Sequence, residues 1–211
     1  MIFELRTYTL VPGGCEDYLR LNAEVGRAIR GDDYGRFEGG WTTRFGTSAR
    51  YVHLWSYPDL NERGRLRRAL YENRAWVEDY VPRIRPLLLA QENAILLPAI
   101  RFAPPAQAGN VYEIWRCRAR VGQLRAWLAL QDAALPARDR HGHTVCCWQV
   151  EIGQLNAAVL LRAFRDLDDR AVAQARELAD PECRGPLARG LPMLADMRSD
   201  LLFPTSVSPL G

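Results

Sequence analysis

The chain has 211 residues, of which 28 are basic and 25 acidic, and its apolar content is that of an ordinary globular protein. This length suits one medium domain or two small ones, and the composition excludes a disordered, collagen-like or fibrous chain. The net charge of +3 gives no reason to expect a nucleic-acid binder, which needs a concentrated basic face. All 28 basic residues are arginine, which we attribute to the coding bias of a GC-rich bacterial genome.

The first half of the sequence predicts six secondary-structure elements. Residues 2–9 are rich in β-formers and predict a strand, and apolar residues at helical spacing predict a helix over residues 15–30. Residues 38–45 and 50–57 predict two strands joined by a turn at residues 46–48. Asp59 resembles the N-cap of a second helix, Pro82 should bend or break the helical pattern that follows, and residues 93–98 predict a last strand.

The second half repeats the first. Phe3-Glu4-Leu5 matches Tyr112-Glu113-Ile114 at an offset of 109 residues, and Trp41 maps onto Trp148 once two residues are dropped. Residues 103–109 are rich in Pro and Ala and predict a stiff linker. We therefore predict two domains, over residues 1–102 and 110–205.

The predicted order βαββαβ is the ferredoxin-like arrangement, and it occurs twice. A four-stranded sheet with helices on one face leaves its other face bare, and two such sheets can cover each other. The expected fold class is therefore α+β, with two ferredoxin-like repeats packed sheet to sheet as a barrel-like pair within one chain.

The start of the chain and its cysteines favour a cytoplasmic protein. Charged residues occur at Glu4 and Arg6, where a signal peptide needs an apolar run, and no apolar stretch has the length of a membrane span. The five cysteines are odd in number and unevenly spaced, which favours reduced thiols. We expect no membrane partner.

Several spaced motifs carry a resemblance to a known family. They are Phe3 to Leu10 followed by Pro12-Gly13, Gly40-Trp41-Thr42-Thr43, Val52-His53-Leu54-Trp55-Ser56-Tyr57, and Gln91-Glu92-Asn93. Residues 1–98 resemble a NIPSNAP-family domain, and the second half resembles it more weakly. The resemblance implies the dimeric α/β-barrel fold and no settled reaction. Relatives on that fold include cofactor-free monooxygenases, haem-degrading enzymes, isomerases and dehydratases, so the fold does not fix the function.

The two halves depart from the family pattern in different ways. The family usually has a Thr-Glu-x-Gly-x-x-Asn hairpin before a His-Leu-Trp strand. The first half keeps His-Leu-Trp but has Arg44 in place of the Glu, whereas the second half keeps Glu151 and has Leu160-Leu161-Arg162 instead of His-Leu-Trp. We therefore hypothesise that the first half keeps the pocket and the second mainly supplies a covering sheet.

Strand alternation selects the candidate site. Glu4, Arg6 and Tyr8 share one face of the first strand, and alternate residues of the strand at 50–57 would face them if the two strands are neighbours. Such a patch offers a base near neutral pH, a cation and aromatic walls. The alternative is a salt-bridged structural patch buried between two sheets. The predicted catalytic residues are His53, Arg6, Tyr57 and Glu4, and the predicted ligand-binding residues are Tyr8, Trp41 and Trp55.

Two functions remain open from the sequence. In the first, the protein binds and transforms a small hydrophobic, aromatic or carbonyl-bearing molecule. His53 would act as acid/base, Arg6 would stabilise developing negative charge, and Tyr57 or Glu4 would orient His53. In the second, it is a non-catalytic binding or scaffold protein. A homodimer could form in either case.

We expect no metal and no cofactor. The metal alternative is zinc or copper held by His141, His143 and Cys147, and the haem alternative would need His53 as the axial ligand. The arginines around Arg63 and Arg67 are interpreted as a solvated helix face, the alternative being an anionic ligand or acidic partner.

Overall fold

The computed structural model describes residues 1–45, 49–107 and 110–211. The chain divides into two compact units, Met1–Ile95 with Phe203–Gly211, and Leu96–Leu202. The fold class is confirmed: α+β, with two ferredoxin-like βαββαβ repeats, the dimeric α/β-barrel class within one chain. No helix in the described residues is both long and apolar enough to cross a membrane.

The first unit follows the predicted order, with strands in the sheet order β4-β1-β3-β2. Its helical pattern is interrupted by two π-helical segments, Asn22–Gly26 and Ala75–Tyr80, and a 3-10 turn at Arg85–Leu87 precedes the last strand. The regular elements are β1 (Ile2–Leu10), α1 (Cys15–Leu21), α2 (Arg27–Arg30), β2 (Arg36–Thr43), β3 (Arg50–Tyr57), α3 (Leu60–Glu72), α4 (Val81–Ile84) and β4 (Leu88–Ile100).

The sheet register of the first unit brings the candidate strands together. β1 pairs with β3 in antiparallel register, so that Arg6 lies opposite His53 and Glu4 opposite Trp55. Residues of β1, β3, α1, α4 and the second π-helical segment form one core cluster between the sheet and the helices, made of Tyr8, Leu10, Tyr18, Leu21, Tyr51, Tyr80 and Ile84.

The second unit repeats these elements, with strands in the order β8-β5-β7-β6. Gly13 and Gly122 occupy the same turn after the first strand of each repeat, with φ of 80° and 81°, a region that favours glycine. The elements are β5 (Val111–Ala119), α5 (Leu124–Arg138), β6 (His143–Ile152), β7 (Ala157–Phe164), α6 (Leu167–Ala179), α7 (Pro181–Gly190) and β8 (Leu194–Pro204).

The helix start predicted at Asp59 agrees with the structure, and two helices of the second unit begin at similar aspartate caps. Asp59 caps α3 by accepting a hydrogen bond from the backbone N–H of Glu62 at 2.9 Å, and Asp166 caps α6 in the same way through Asp169 at 2.7 Å. Asp180 caps α7, with Pro181 at its first position. Pro82 does not end its helix, because it lies in the first turn of α4, where a missing N–H is tolerated.

One predicted strand differs from the structure in its bounds. The last strand of the first half was expected at residues 93–98 and is Leu88–Ile100. Residues 203–211 group with the first unit, because Ser208 Oγ accepts a hydrogen bond from the Gly40 N–H at 3.1 Å and Phe203 packs near Phe45. The domain boundaries at 1–102 and 110–205 stay a prediction. The turn at residues 46–48 and the end of the linker, residues 108–109, lie outside the described residues.

Candidate functional site

The first unit contains a cavity of about 240 Å³ between its helices and the face of β1 and β3. This location differs from the patch between two sheets considered from the sequence, because the alternate residues of β1 and β3 point towards α1, α3 and α4. Four of the predicted site residues line the cavity: Arg6, Tyr8, His53 and Trp55. Glu4, Tyr57 and Trp41 do not line it.

His53 lies on the cavity wall and is almost fully buried, with 4% of its surface exposed. The indole Nε1–H of Trp55 donates to His53 Nδ1 at 2.8 Å. The indole nitrogen can only donate, so Nδ1 must accept, and the proton of a neutral ring is assigned to Nε2. Nε2 has no hydrogen-bond partner among the described residues. His53 is therefore a cavity-lining residue with an unused, buried N–H donor.

The surroundings of His53 keep its ring neutral. Burial lowers the pKa of His53 well below its ordinary value of 6.5, and the positive charges of Arg6, Arg30 and Arg67 act in the same direction. Tyr51 stacks on the ring with centroids 4.8 Å apart, and Tyr8 meets it edge to face at 4.7 Å. The imidazole is thus fixed in orientation and held in its uncharged form.

The helical wall of the cavity comes from a row of residues at a spacing of four: Tyr18, Asn22, Gly26 and Arg30. In a regular α-helix such a row would drift around the axis by about 40° at each step. The π-helical segment Asn22–Gly26 has a wider turn, which offsets this drift and keeps the row on one side.

Gly26 and Asn22 connect this helical wall to the aromatic core. A Cβ on Gly26 would lie 2.5 Å from the Tyr80 ring, so only glycine lets that ring lie against the helix. Tyr80 Oη donates to Asn22 Oδ1, and Asn22 Nδ2 donates to Tyr51 Oη, both at 3.2 Å. This buried network holds the tyrosine that stacks on His53.

Arg30 and Arg67 are pocket residues that the strand argument missed. Arg30 lies at the end of α2, and the apolar spacing that predicts this helix does not select it. Arg67 was identified as part of a solvated helix face, yet it lines the cavity. The spacing of Asn22, Gly26 and Arg30 is the available signal for the first, since these residues continue at a spacing of four from the aromatic Tyr18.

Glu4 is fully buried and serves as the partner of arginines. Its Oε1 accepts from Arg63 at 2.6 Å and from Arg6 at 3.4 Å. Burial would raise the pKa of the Glu4 carboxyl, but the hydrogen bond from Arg63 and the charge of Arg6 hold that pKa below its ordinary value. Tyr57 Oη donates to Glu4 Oε2 at 3.3 Å and accepts from Arg30 at 3.0 Å, so Tyr57 links Glu4 to Arg30 behind the cavity wall.

The second repeat shows which of these features accompany the pocket. The pair Glu4–Arg63 has a counterpart at the equivalent positions, Glu113–Arg170, at 2.7 Å. By contrast, Trp115 and Leu160 stand at the repeat positions of Arg6 and His53. Leu160 belongs to an apolar core cluster that also contains Cys117, Trp127, Cys147 and Ala158. The Glu–Arg ion pair is therefore common to both repeats, whereas Arg6 and His53 occur in the repeat that contains the cavity.

Trp41 is also a feature shared by both repeats, and it does not line the cavity. It is buried, its ring packs against the backbone of Gly39, and Trp148 holds the equivalent position in the second unit with the same degree of burial. A described groove in the second unit is lined by exposed residues such as Val121 and Leu155, whereas the cavity of the first is lined by buried residues such as Tyr18 and His53.

The residues of the metal alternative are not brought together. His141 Nε2 is bonded to Asp180 at 2.9 Å, His143 Nε2 to the Ala103 carbonyl, and Cys147 lies in the apolar core. Within the described residues, one group has ligand atoms within 4.8 Å of each other: His141, Asp180 and Cys183. Arg140 also forms a salt bridge with the Asp180 carboxylate, at 2.9 Å.

Comparisons with known proteins agree on the family and the fold. The NIPSNAP family model matches residues 3–104 and 112–209. The human protein NipSnap homolog 3A is 28% identical over 215 residues, covering 100% of this chain and 86% of that protein. Human NipSnap homolog 2 is 26% identical over 217 residues, covering 99% of this chain and 74% of that protein. The structure of a candidate monooxygenase from Fusobacterium nucleatum has a TM-score of 0.73 at 11% identity and covers 97% of this chain and 92% of its own, which shows a shared fold.

Proposed function

Because the chain belongs to the NIPSNAP family, we propose that its first repeat binds a small hydrophobic molecule, aromatic or carbonyl-bearing, in the cavity beside His53. The observation that carries the proposal is a partly open cavity lined by His53, whose buried Nε2–H has no acceptor among the described residues. A volume of about 240 Å³ is below the roughly 300–1,000 Å³ of drug-sized sites, so the ligand has one or two rings.

The chemistry available at this site is donation towards an oxygen atom. His53 Nε2–H would donate to a carbonyl oxygen of the ligand, and Arg6 would stabilise negative charge that develops there. The lone pair of Nδ1 is already used by Trp55. For this reason we propose that the neutral His53 ring acts as a hydrogen-bond donor to the ligand oxygen, and not as a base. Rearrangement, dehydration and oxygenation would all benefit from a stabilised oxyanion.

A binding experiment tests this function. We expect at least one of 1-acetonaphthone, 1-naphthol and 1-naphthoate to bind at one site per chain in isothermal titration calorimetry, with Kd below about 1 mM. Leu88 lines the cavity at the start of β4, so L88W should fill it and weaken binding at least tenfold. Leu194 starts β8 at the equivalent position of the second repeat, and L194W is the matched control.

Two results would contradict the proposal. One is the absence of binding by all three compounds to the folded protein, which would favour the scaffold alternative. The other is an equal loss of affinity in L88W and L194W, since only the former changes the cavity. A cytoplasmic location, a bacterial source and a homodimer stay predictions from the sequence.

A further inference from the structure

The charged side chains that line the cavity of the first unit are all positive. Its described lining contains no aspartate and no glutamate. The charged residues that line it are five arginines: Arg6, Arg27, Arg30, Arg67 and Arg85. A cavity that binds a neutral hydrocarbon would gain nothing from this set, because the buried charge of Arg30 has a cost in desolvation.

Nearby carboxylates balance only part of this charge. Arg27 pairs with Asp32 at 3.3 Å, and Arg6 has a longer contact with Glu4, at 3.4 Å, whose Oε1 is held more closely by Arg63. Arg30, Arg67 and Arg85 have no carboxylate within 4 Å in the described part of the chain. The cavity therefore keeps an excess of positive charge.

Arg30 is the most buried member of the set. Only 5% of its surface is exposed, and its guanidinium lies over the Trp55 ring, 3.3 Å from the centroid. It donates to the uncharged oxygens of Tyr57 and Tyr34, and its Nε has no acceptor among the described residues. A buried guanidinium without a counter-ion is costly, and an anion bound in the cavity would offset that cost.

Three of the residues that line the cavity have a buried polar atom without a partner, and all three atoms are donors. His53 Nε2, Arg30 Nε and Arg6 Nε are all buried, all lack an acceptor within the described chain, and all carry a hydrogen. A ligand complementary to them must supply acceptor oxygens rather than donors. Aromatic rings of Tyr8, Trp55 and Trp76 on the same wall favour a planar body for that ligand.

We propose that the ligand of this cavity is a small planar organic anion with its negative charge on oxygen, such as an aromatic carboxylate or the enolate of an aromatic carbonyl compound. The anionic oxygen is bound by the Arg30 and Arg6 side chains together with His53 Nε2–H, and the ring lies among the aromatic side chains. This inference rests on the proposed function, since it names the chemical class of the ligand in the same cavity.

The test compares two compounds of nearly equal shape, 1-naphthoate and the neutral 1-naphthamide, by isothermal titration calorimetry. We expect naphthoate to bind at least tenfold more tightly to the wild-type protein. R30Q should remove that preference by weakening naphthoate at least tenfold and naphthamide by less than threefold. R138Q is the matched control. Arg138 is the buried last residue of α5, as Arg30 is the buried last residue of α2 in the first unit, and it does not line a described cavity of the second unit.

The outcomes separate this inference from the proposed function. Equal affinity for the two compounds, or tighter binding of naphthamide, would overturn the anionic ligand and leave the small-molecule site standing. No binding of either compound, nor of acetonaphthone and naphthol, would overturn both. An undiminished preference in a folded R30Q would overturn the role of Arg30. If R30Q does not fold, R67Q takes its place, because Arg67 is only half-buried, and a preference for naphthoate that R67Q leaves intact would count against the cationic wall.

Discussion

His53 differs from an ordinary histidine because its two ring nitrogens have different environments. Nδ1 accepts from Trp55 two residues along the same strand, whereas Nε2 is buried without an acceptor among the described residues. Strand alternation predicted that these two side chains share a face, and the register placed Arg6 opposite. The proton position followed only from the contact with an indole that can donate but not accept.

The pKa of His53 predicts a pH dependence of stability. The folded state holds this pKa well below 6.5, whereas an unfolded chain binds the proton below about pH 6.5. The unfolded state then binds more protons, so the free energy of unfolding falls as the pH falls below that value, by up to about 1.4 kcal/mol per pH unit. No contribution from His53 is expected above pH 6.5.

Urea unfolding at pH 7.5 and 5.5 measures this effect in the wild type and in H53Q. Glutamine can accept from Trp55 and donate to the cavity, but it does not titrate. We expect the wild type to lose about 1 kcal/mol more than H53Q between the two pH values. His141 and His143 are present in both proteins, so their effects on the free energy of unfolding cancel in the comparison. An identical loss in the two proteins would show that His53 is protonated as easily in the folded state as in the unfolded state.

The helix between β1 and β2 is the element that shapes the cavity. Its π-helical segment keeps Asn22, Gly26 and Arg30 in one row, and the second π-helical segment ends at Tyr80, which lies against Gly26. π-Helical turns occur often at functional sites. Amphipathic spacing predicted the helix over residues 15–30 but not this local geometry, since a π turn depends on which side chains press against it.

Gly26→Ala tests the close approach of helix and ring. The added Cβ would lie 2.5 Å from the Tyr80 ring, which must then shift, so we expect the free energy of unfolding to fall by about 1–3 kcal/mol. Gly64→Ala in α3 is the control, because its Cβ would meet nothing closer than the end of the Arg68 side chain at 3.6 Å. That change should stabilise by up to about 1 kcal/mol. Chemical denaturation distinguishes the two, and stabilisation by both substitutions would contradict the packing described.

At the scale of the whole molecule, the two units share the same arrangement of elements but differ in the residues that fill it. Each has an aspartate cap on its long second helix, a glycine turn after its first strand and a buried Glu–Arg pair. The first unit adds arginines and histidine around a cavity, where the second has an apolar cluster. The sequence repeat predicted the shared frame, and the loss of His-Leu-Trp in the second half motivated the hypothesis of a single pocket.

The repeated ion pair predicts that Glu4 is a structural residue. E4Q and E113Q each remove a buried charge from an arginine and should each lower the free energy of unfolding by about 2 kcal/mol. E4Q also removes negative charge beside Arg6, so the affinity for 1-naphthoate should be kept or increased. Thermal or urea unfolding and calorimetry provide the two readouts. If E4Q folds but no longer binds naphthoate, Glu4 contributes to ligand binding and is not a structural residue alone.

The sequence by itself determined the repeat, the order of elements, the helix caps and the facing of Arg6 and His53. These features depend on local periodicity, turn chemistry and the alternation of a strand, which neighbouring residues encode. The tertiary structure decided that the cavity lies under the helices, that Arg30 and Arg67 line it, and that Glu4, Tyr57 and Trp41 stand outside it. Those outcomes depend on side chains far apart in the chain and on a π turn that widens one helix, so packing between elements had to settle them.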